Sequence, residues 1–217
     1  MNDLFTLPAE QHAESGLPAA TCSTFRCIMA DPPWPIKWAK NTSIRTKQLD
    51  YPTMRVGEMA ELPVKELADP LGCVLCMWVT NEYLPDGLAL ARIWGFHYEK
   101  LFTWCKNNGM GGRPRNATEH FIIATRGCPQ MGEGRNQSML LNWAEAQKGA
   151  HSEKPEVFVK AIESFTEAPR LEMFARVKRP GWHAWGNQVE SDISLSNAQA
   201  MAPPPQRLPS TKDVPGG

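Results

Sequence analysis

Cys27-Ile28-Met29-Ala30-Asp31-Pro32-Pro33-Trp34 decides how this chain is read. Its first four residues are a brief apolar run that suits a buried strand, and Asp31-Pro32-Pro33 stops it. Downstream, Cys73-Val74-Leu75-Cys76-Met77-Trp78-Val79 is the strongest strand candidate. Residues 98–104, Phe121 to Thr125, Leu171 to Ala175 and Trp182 to Trp185 supply further strands. Between them, 86–94 carries a helical pattern that ends before Gly95. Pro155 can open a second helix, with Val157, Phe158, Ala161, Ile162 and Phe165 as its apolar stripe. Strands alternating with helices predict an α/β domain whose mostly parallel sheet is flanked by helices. Such sheets bind ligands at the carboxyl ends of their strands, so residues 31–34 fall where an active site is expected.

The chain has 217 residues, enough for one domain with its own core. Residues 1–24 show no clear period and read as an N-terminal arm of uncertain structure; 25–195 form the domain; the Pro-rich stretch 196–217 reads as a disordered tail. Lys+Arg and Asp+Glu are 23 each, so a nucleic-acid partner would have to be met by local basic patches and not by net charge. The run 73–79 is too short to cross a bilayer, and no Lys or Arg precedes Arg26 to form a signal-peptide n-region. Six cysteines fit a reducing compartment. The expectation is a soluble, cytoplasmic protein with no membrane partner.

Pro32 removes a backbone donor and drives Asp31 toward an extended conformation, and Pro33 acts likewise on Pro32. The resulting stiff turn is expected to leave the carbonyls of Pro32 and Pro33 without competing donors. Asp31 and a proline carbonyl would then form a paired acceptor for an –NH₂ group, and Trp34 a flat face for a base. An exocyclic nucleobase amine fits this pair. Its lone pair is conjugated into the ring, and two acceptors on its hydrogens would favour a pyramidal, nucleophilic nitrogen. Neither metal nor covalent intermediate is needed if the electrophile is already activated.

From Cys27 to Gln188 the chain resembles the MT-A70 family of adenine-N6 methyltransferases. Asp31-Pro32-Pro33-Trp34 is similar to its catalytic signature, and Tyr51-Pro52-Thr53-Met54 to the element whose Tyr flanks the active site. Leu75 to Thr80, Glu119-His120 with 121–127, Ser152-Glu153-Lys154-Pro155, Leu171 to Arg176 and Trp185-Gly186-Asn187-Gln188 resemble later family elements. The resemblance implies a Rossmann-like fold in permuted order, with the catalytic motif first, and S-adenosylmethionine as cofactor. It implies Asp31, Pro32, Pro33, Trp34 and Tyr51 as catalytic residues. It also implies cofactor contacts from Asp31, Lys154, Glu172, Arg176, Asn187 and Gln188. Lys154 at a helix mouth suits the methionyl carboxylate; Asn187 and Gln188 suit ribose or adenine. One departure is that Leu17 to Arg26 offers no well-spaced acidic residue for the cofactor.

Three basic groups could meet a phosphate backbone. Residues 35–49 carry Lys37, Lys40, Arg45 and Lys47 around Trp38; Arg113 and Arg115 lie in a Gly-rich loop; Lys178-Arg179 precede Pro180. Gly109-x-Gly111-Gly112 and Gly132-x-Gly134 read as flexible loops. Cys73-x-x-Cys76 sits inside an apolar strand and reads as core, as do Cys105 and Cys128, and no metal is expected. His120 reads as a pocket residue or a satisfied structural one, and Trp78, Trp94 and Trp104 as core. The expected activity is methyl transfer to adenine N6, in DNA by likeness to compact bacterial and phage members, by a monomer or homodimer. The alternatives are an RNA adenine-N6 methyltransferase and a catalytically silent nucleic-acid-binding subunit.

Overall fold

The computed structural model describes residues 24–35, 52–110, 114–130, 141–146 and 154–195. Among them, seven strands form one sheet: β1 (Cys27–Ala30), β2 (Gly72–Val79), β3 (His97–Met110), β4 (Asn116–Gly127), β5 (Trp143–Glu145), β6 (Arg170–Met173) and β7 (Trp182–Trp185). Their order is β5-β3-β4-β2-β1-β6-β7. Four pairings are parallel and two antiparallel, because β4 alone runs against the rest. The sheet is therefore mixed and mostly parallel. The expected arm and tail lie outside the described residues.

β2 is buried throughout, so its side chains alternate between two cores. Cys73, Leu75, Met77 and Val79 face one, shared with Met59 of α1 (Val56–Ala60), Val64 of α2 (Val64–Leu67) and Leu90 and Ala91 of α3 (Leu84–Ile93). Val74, Cys76 and Trp78 face the other, under Phe158, Val159, Ile162 and Phe165 of α4 (Glu156–Phe165). α3 starts with Pro85 in its first turn and ends at Gly95, whose φ of 85° suits only glycine comfortably. Val157 is exposed and does not belong to the α4 stripe, which runs 158, 159, 162 and 165.

The elements differ from expectation where tertiary pairing prevails. The strand expected over 98–104 continues to Met110, because β4 pairs with it far beyond its apolar part. Gly109 is accordingly in β3, not in a loop. β6 stops at Met173, because Phe174 turns the chain with a φ of 61°. That costs a non-glycine residue about 1–2 kcal/mol and is held by the edge-on contact of its ring with Trp185 at 5.4 Å. Cys73 and Cys76 project from opposite faces of β2, and burial pushes both thiols well up. Cys128 is exposed, not core, because it lies beyond the end of β4 at Gly127. No described helix is long and apolar enough to cross a membrane.

Candidate active site

Strand register builds one functional edge. Ala30 pairs with Met173, and Met173 with Trp185, so Asp31, Phe174 and Gly186 leave the sheet side by side at the carboxyl ends of β1, β6 and β7. On the other side Ala30 pairs with Met77, which sets Trp78 beside Asp31. Trp78 faces Phe121 and Val79 faces His120, so the first half of antiparallel β4 brings Glu119 and His120 to the same edge.

At this edge Lys154 reaches from the residue pair before α4 to the tip of β1. Its Nζ donates to both oxygens of Asp31, at 2.9 and 2.8 Å. Glu119 Oε2 lies 3.8 Å from the same ammonium, and Lys106 pairs with Glu119. Trp78 lies under Lys154 at 5.2 Å and Trp104 under Lys106 at 4.6 Å, both within cation–π range. Cations and carboxylates thus alternate from β3 to β1: Lys106, Glu119, Lys154, Asp31. Asp31 and Lys154 are 123 positions apart. Lys154 was expected at an open helix mouth; Pro155 is the N-cap, and the ammonium reaches Asp31.

The Pro-Pro turn is stiff but its carbonyls are not vacant. Pro32 O accepts from Trp34 N at 2.8 Å, and Pro33 O accepts from Met54 N at 2.9 Å. This corrects the expectation of carbonyls free of donors: half-buried backbone N–H groups need partners, and these carbonyls are the nearest. Each carbonyl keeps a second lone pair. Trp34 is locked on one side, stacked on Tyr83 at 5.0 Å and 15°. Its Nε1 donates to Trp78 O at 3.0 Å, while Tyr83 Oη donates to Pro35 O at 2.5 Å. Nothing in the sequence signals Tyr83 as its partner.

His120 is a satisfied, buried histidine. Its ring lies within hydrogen-bond reach of Thr103 Oγ1, Asn81 Oδ1 and Thr118 Oγ1. Burial pulls its pKa below the ordinary imidazole value, partly opposed by Glu119. Glu172, on β6, accepts from Arg179 Nε at 3.0 Å. Arg176 stands half-buried beyond the end of β6. Burial raises the Glu172 pKa, opposed by Arg179 and reinforced by Asp31. Asn187 and Gln188 are exposed just past β7. Gly186 is wedged against the chain at Ala175: a Cβ there would lie 2.1 Å from Ala175 O.

Tyr51, Lys37, Trp38, Lys40, Arg45, Lys47 and Arg113 lie outside the described residues. Arg115 is exposed in the turn between β3 and β4. Lys178 and Arg179 are both ion-paired within the chain, to Asp192 and to Glu172 and Glu156, which removes them as free phosphate contacts.

The MT-A70 family pattern matches residues 25–188. Type II methyltransferase M.MunI of Mycoplasma sp. is 30% identical over 186 residues, covering 76% of this chain and 78% of that protein. The human N(6)-adenosine-methyltransferase catalytic subunit METTL3 is 28% identical over 197 residues, 85% of this chain but 31% of its own length. The Arabidopsis thaliana N(6)-adenosine-methyltransferase MT-A70-like is 28% identical over 179 residues, 76% of this chain and 24% of its own. The chain thus spans less than a third of these two plant and animal relatives. With the pattern running from the strand before Asp31 to Gln188 beyond β7, the chain belongs to the MT-A70 family of adenine N6-methyltransferases.

Proposed function

We propose that this chain transfers a methyl group from S-adenosylmethionine to the N6 amine of adenine in DNA. The observation that carries the reading is the Asp31 carboxylate, gripped at both oxygens by Lys154 beside a locked Trp34 indole. Family membership implies the cofactor, which supplies an activated sulfonium methyl group when bound. The edge of β1, β6 and β7 suits it. Asp31 and Lys154 offer opposite charges for an amino-acid end, and Arg176, Asn187 and Gln188 offer donors for ribose and adenine. Gly186 lets the chain after β7 close onto the backbone at Ala175, which keeps the ends of β6 and β7 together at this edge. Glu172 gives Oε2 to Arg179, which leaves Oε1 for a ribose hydroxyl.

The chain's own residues then act as follows. Asp31 accepts a hydrogen bond from the target N6–H, and the second lone pair of a proline carbonyl accepts the other. Withdrawing both hydrogens from the ring plane frees the nitrogen lone pair for the methyl group. As the new C–N bond forms the carbon–sulfur bond would break, S-adenosylhomocysteine would leave, and the surplus N6 proton would depart along the hydrogen bond to Asp31 and on to water. The face of Trp34 away from Tyr83 stacks on the target base, and Tyr51 flanks it. Lys37, Trp38, Lys40, Arg45, Lys47, Arg113 and Arg115 hold the phosphate backbone around an adenine taken out of its stack. DNA is preferred to RNA because M.MunI, a relative that matches over most of both lengths, is a type II methyltransferase. The setting is the cytoplasm, and the enzyme works as a monomer or homodimer.

Purified protein offered labelled cofactor with DNA and RNA pools, followed by mapping of the methylated base, tests this. Label on adenine N6 of DNA is the expected result. Label on RNA alone moves the substrate, and label on neither makes the chain a silent binding subunit.

A further inference from the structure

Lys178 and Arg179 are adjacent, yet their side chains part. Lys178 is half-exposed and pairs outward with Asp192 at 2.6 Å. Arg179 turns inward, with only 19% of its side chain exposed. Its Nε donates to Glu172 Oε2 at 3.0 Å, and its Nη1 to Glu156 Oε2 at 2.7 Å. One guanidinium thus ties the β6–β7 connection to β6 and to the first residue of α4.

Both anchor points lead to the reacting pair. Glu156 is preceded by Pro155, at φ −60° and ψ 137°, and then by Lys154. A proline joint allows little rotation, so the root of Lys154 moves with the first turn of α4. On the other side Glu172 pairs in register with Met29, two residues before Asp31. Met29 faces the α4 side of the sheet, and so does Asp31, two positions on. Arg179 is therefore fixed to the elements that carry each end of the Lys154–Asp31 pair.

The far end of α4 is held separately. Arg170 donates to the carbonyls of Glu163 and Thr166, and Trp182 Nε1 donates to Glu163 Oε1 at 2.7 Å. Those contacts lie near the last turn of a helix that is roughly 15 Å long, too distant to set Lys154. The cation also offsets a local excess of negative charge, since Asp31 and burial both push the Glu172 pKa up while Arg179 holds it down.

We propose that Arg179 is a positioning residue for methyl transfer: by clamping the first turn of α4 to β6, it sets where Lys154 meets Asp31. The proposal rests on the reading of Asp31 and Lys154 as methyl-transfer machinery. Arg179→Met and Glu156→Gln, alone and combined with Lys154→Ala, test it by steady-state kinetics on adenine-containing DNA. Crystal structures of the two single variants are determined alongside. Glu156 is largely exposed, so its variant folds even if Arg179→Met does not. Each single variant should lower kcat by about 10- to 100-fold, a larger factor than any rise in the cofactor KM. Neither should lower kcat further once Lys154 is Ala, and Arg179→Lys should recover part of the loss. The crystals should show the Lys154 ammonium displaced from Asp31. An unchanged pair in both crystals, or the same fold-loss with and without Lys154, overturns the proposal. If wild-type protein methylates neither DNA nor RNA, the functional reading fails by itself. The Lys154–Asp31 distance in the variants then still decides whether Arg179 sets that pair.

Discussion

Asp31→Ala removes a side chain that holds Lys154 and, under the proposed function, accepts the target amine. Catalysis and stability should respond differently. In the proposed reaction, the lost group is a charge-assisted acceptor whose bond strengthens as the attacking nitrogen gains positive charge. Losing one preorganised electrostatic partner of this kind costs on the order of 10² to 10³ in rate, or about 3–4 kcal/mol. In the fold, the loss breaks contacts of 2.8 and 2.9 Å to an ammonium only 16% exposed. Breaking a fully buried ion pair costs about 3–5 kcal/mol. Here Glu119 already lies 3.8 Å from Lys154 and can accept it, so about 1–2 kcal/mol is expected. That corresponds to roughly 2–8 °C in Tm for a domain of this size. Labelled methyl transfer to an adenine-containing duplex, calorimetry with S-adenosylhomocysteine and a thermal melt separate the effects. Turnover should collapse while product-cofactor binding stays measurable. Near-wild-type turnover on both DNA and RNA would refute the role given to Asp31. Asp31→Asn, which keeps a carbonyl acceptor, should retain more activity than Ala.

Trp34→Ala should weaken target binding by about 1–3 kcal/mol through lost stacking; equal affinity for an adenine oligonucleotide by fluorescence anisotropy would sink that role. His120 is more acidic folded than unfolded, so the unfolded state binds the proton more readily. Its contribution is complete above about pH 6.5 and lost as pH falls toward the folded value. His120→Gln should therefore flatten the acid side of a Tm-against-pH profile, and an unaltered slope would show that the ring is not held neutral. Gly186→Ala drives a methyl group into backbone at Ala175, which cannot yield as a side chain could. About 1–3 kcal/mol of stability should go, together with affinity for S-adenosylhomocysteine. Neutralising Lys37, Lys40, Arg45 and Lys47 together should flatten the salt dependence of DNA binding by a slope of about one per lost phosphate contact. A wild-type slope would exclude those four residues as phosphate contacts.

What could be read in advance was what local pattern encodes. β1 and its Pro-Pro stop, the fully apolar β2 and the 3.6-residue stripe of α4 each announce themselves within about ten residues. α1 and α2, of five and four residues, are too short to show a period. β5 has three residues and owes its existence to the open edge of β3 at Thr103 to Cys105. The direction of β4 was not legible either, since Phe121 to Ala124 would be equally apolar in a parallel strand. The motifs pointed to Asp31, Lys154 and Glu172, but not to the partners these side chains take. Lys154 meets Asp31 across 123 positions, and Arg179 turns in where Lys178 turns out. Such choices are made by the carboxylates that packing brings near, and composition does not reveal them.

The reversal of β4 has an evolutionary consequence. Because it runs against its neighbours, its opening residues stand at the edge formed by the carboxyl ends of β1 and β2, and the connection from β3 emerges there too. Material inserted in that connection enlarges that edge without disturbing the register of Trp78 with Phe121 or Val79 with His120. Each doubling of such a loop costs only about 0.6 kcal/mol in closure entropy. The architecture therefore separates two inheritances. The Asp31–Lys154 pair is fixed by β1 and the start of α4, while the connection between β3 and β4 can lengthen without disturbing either.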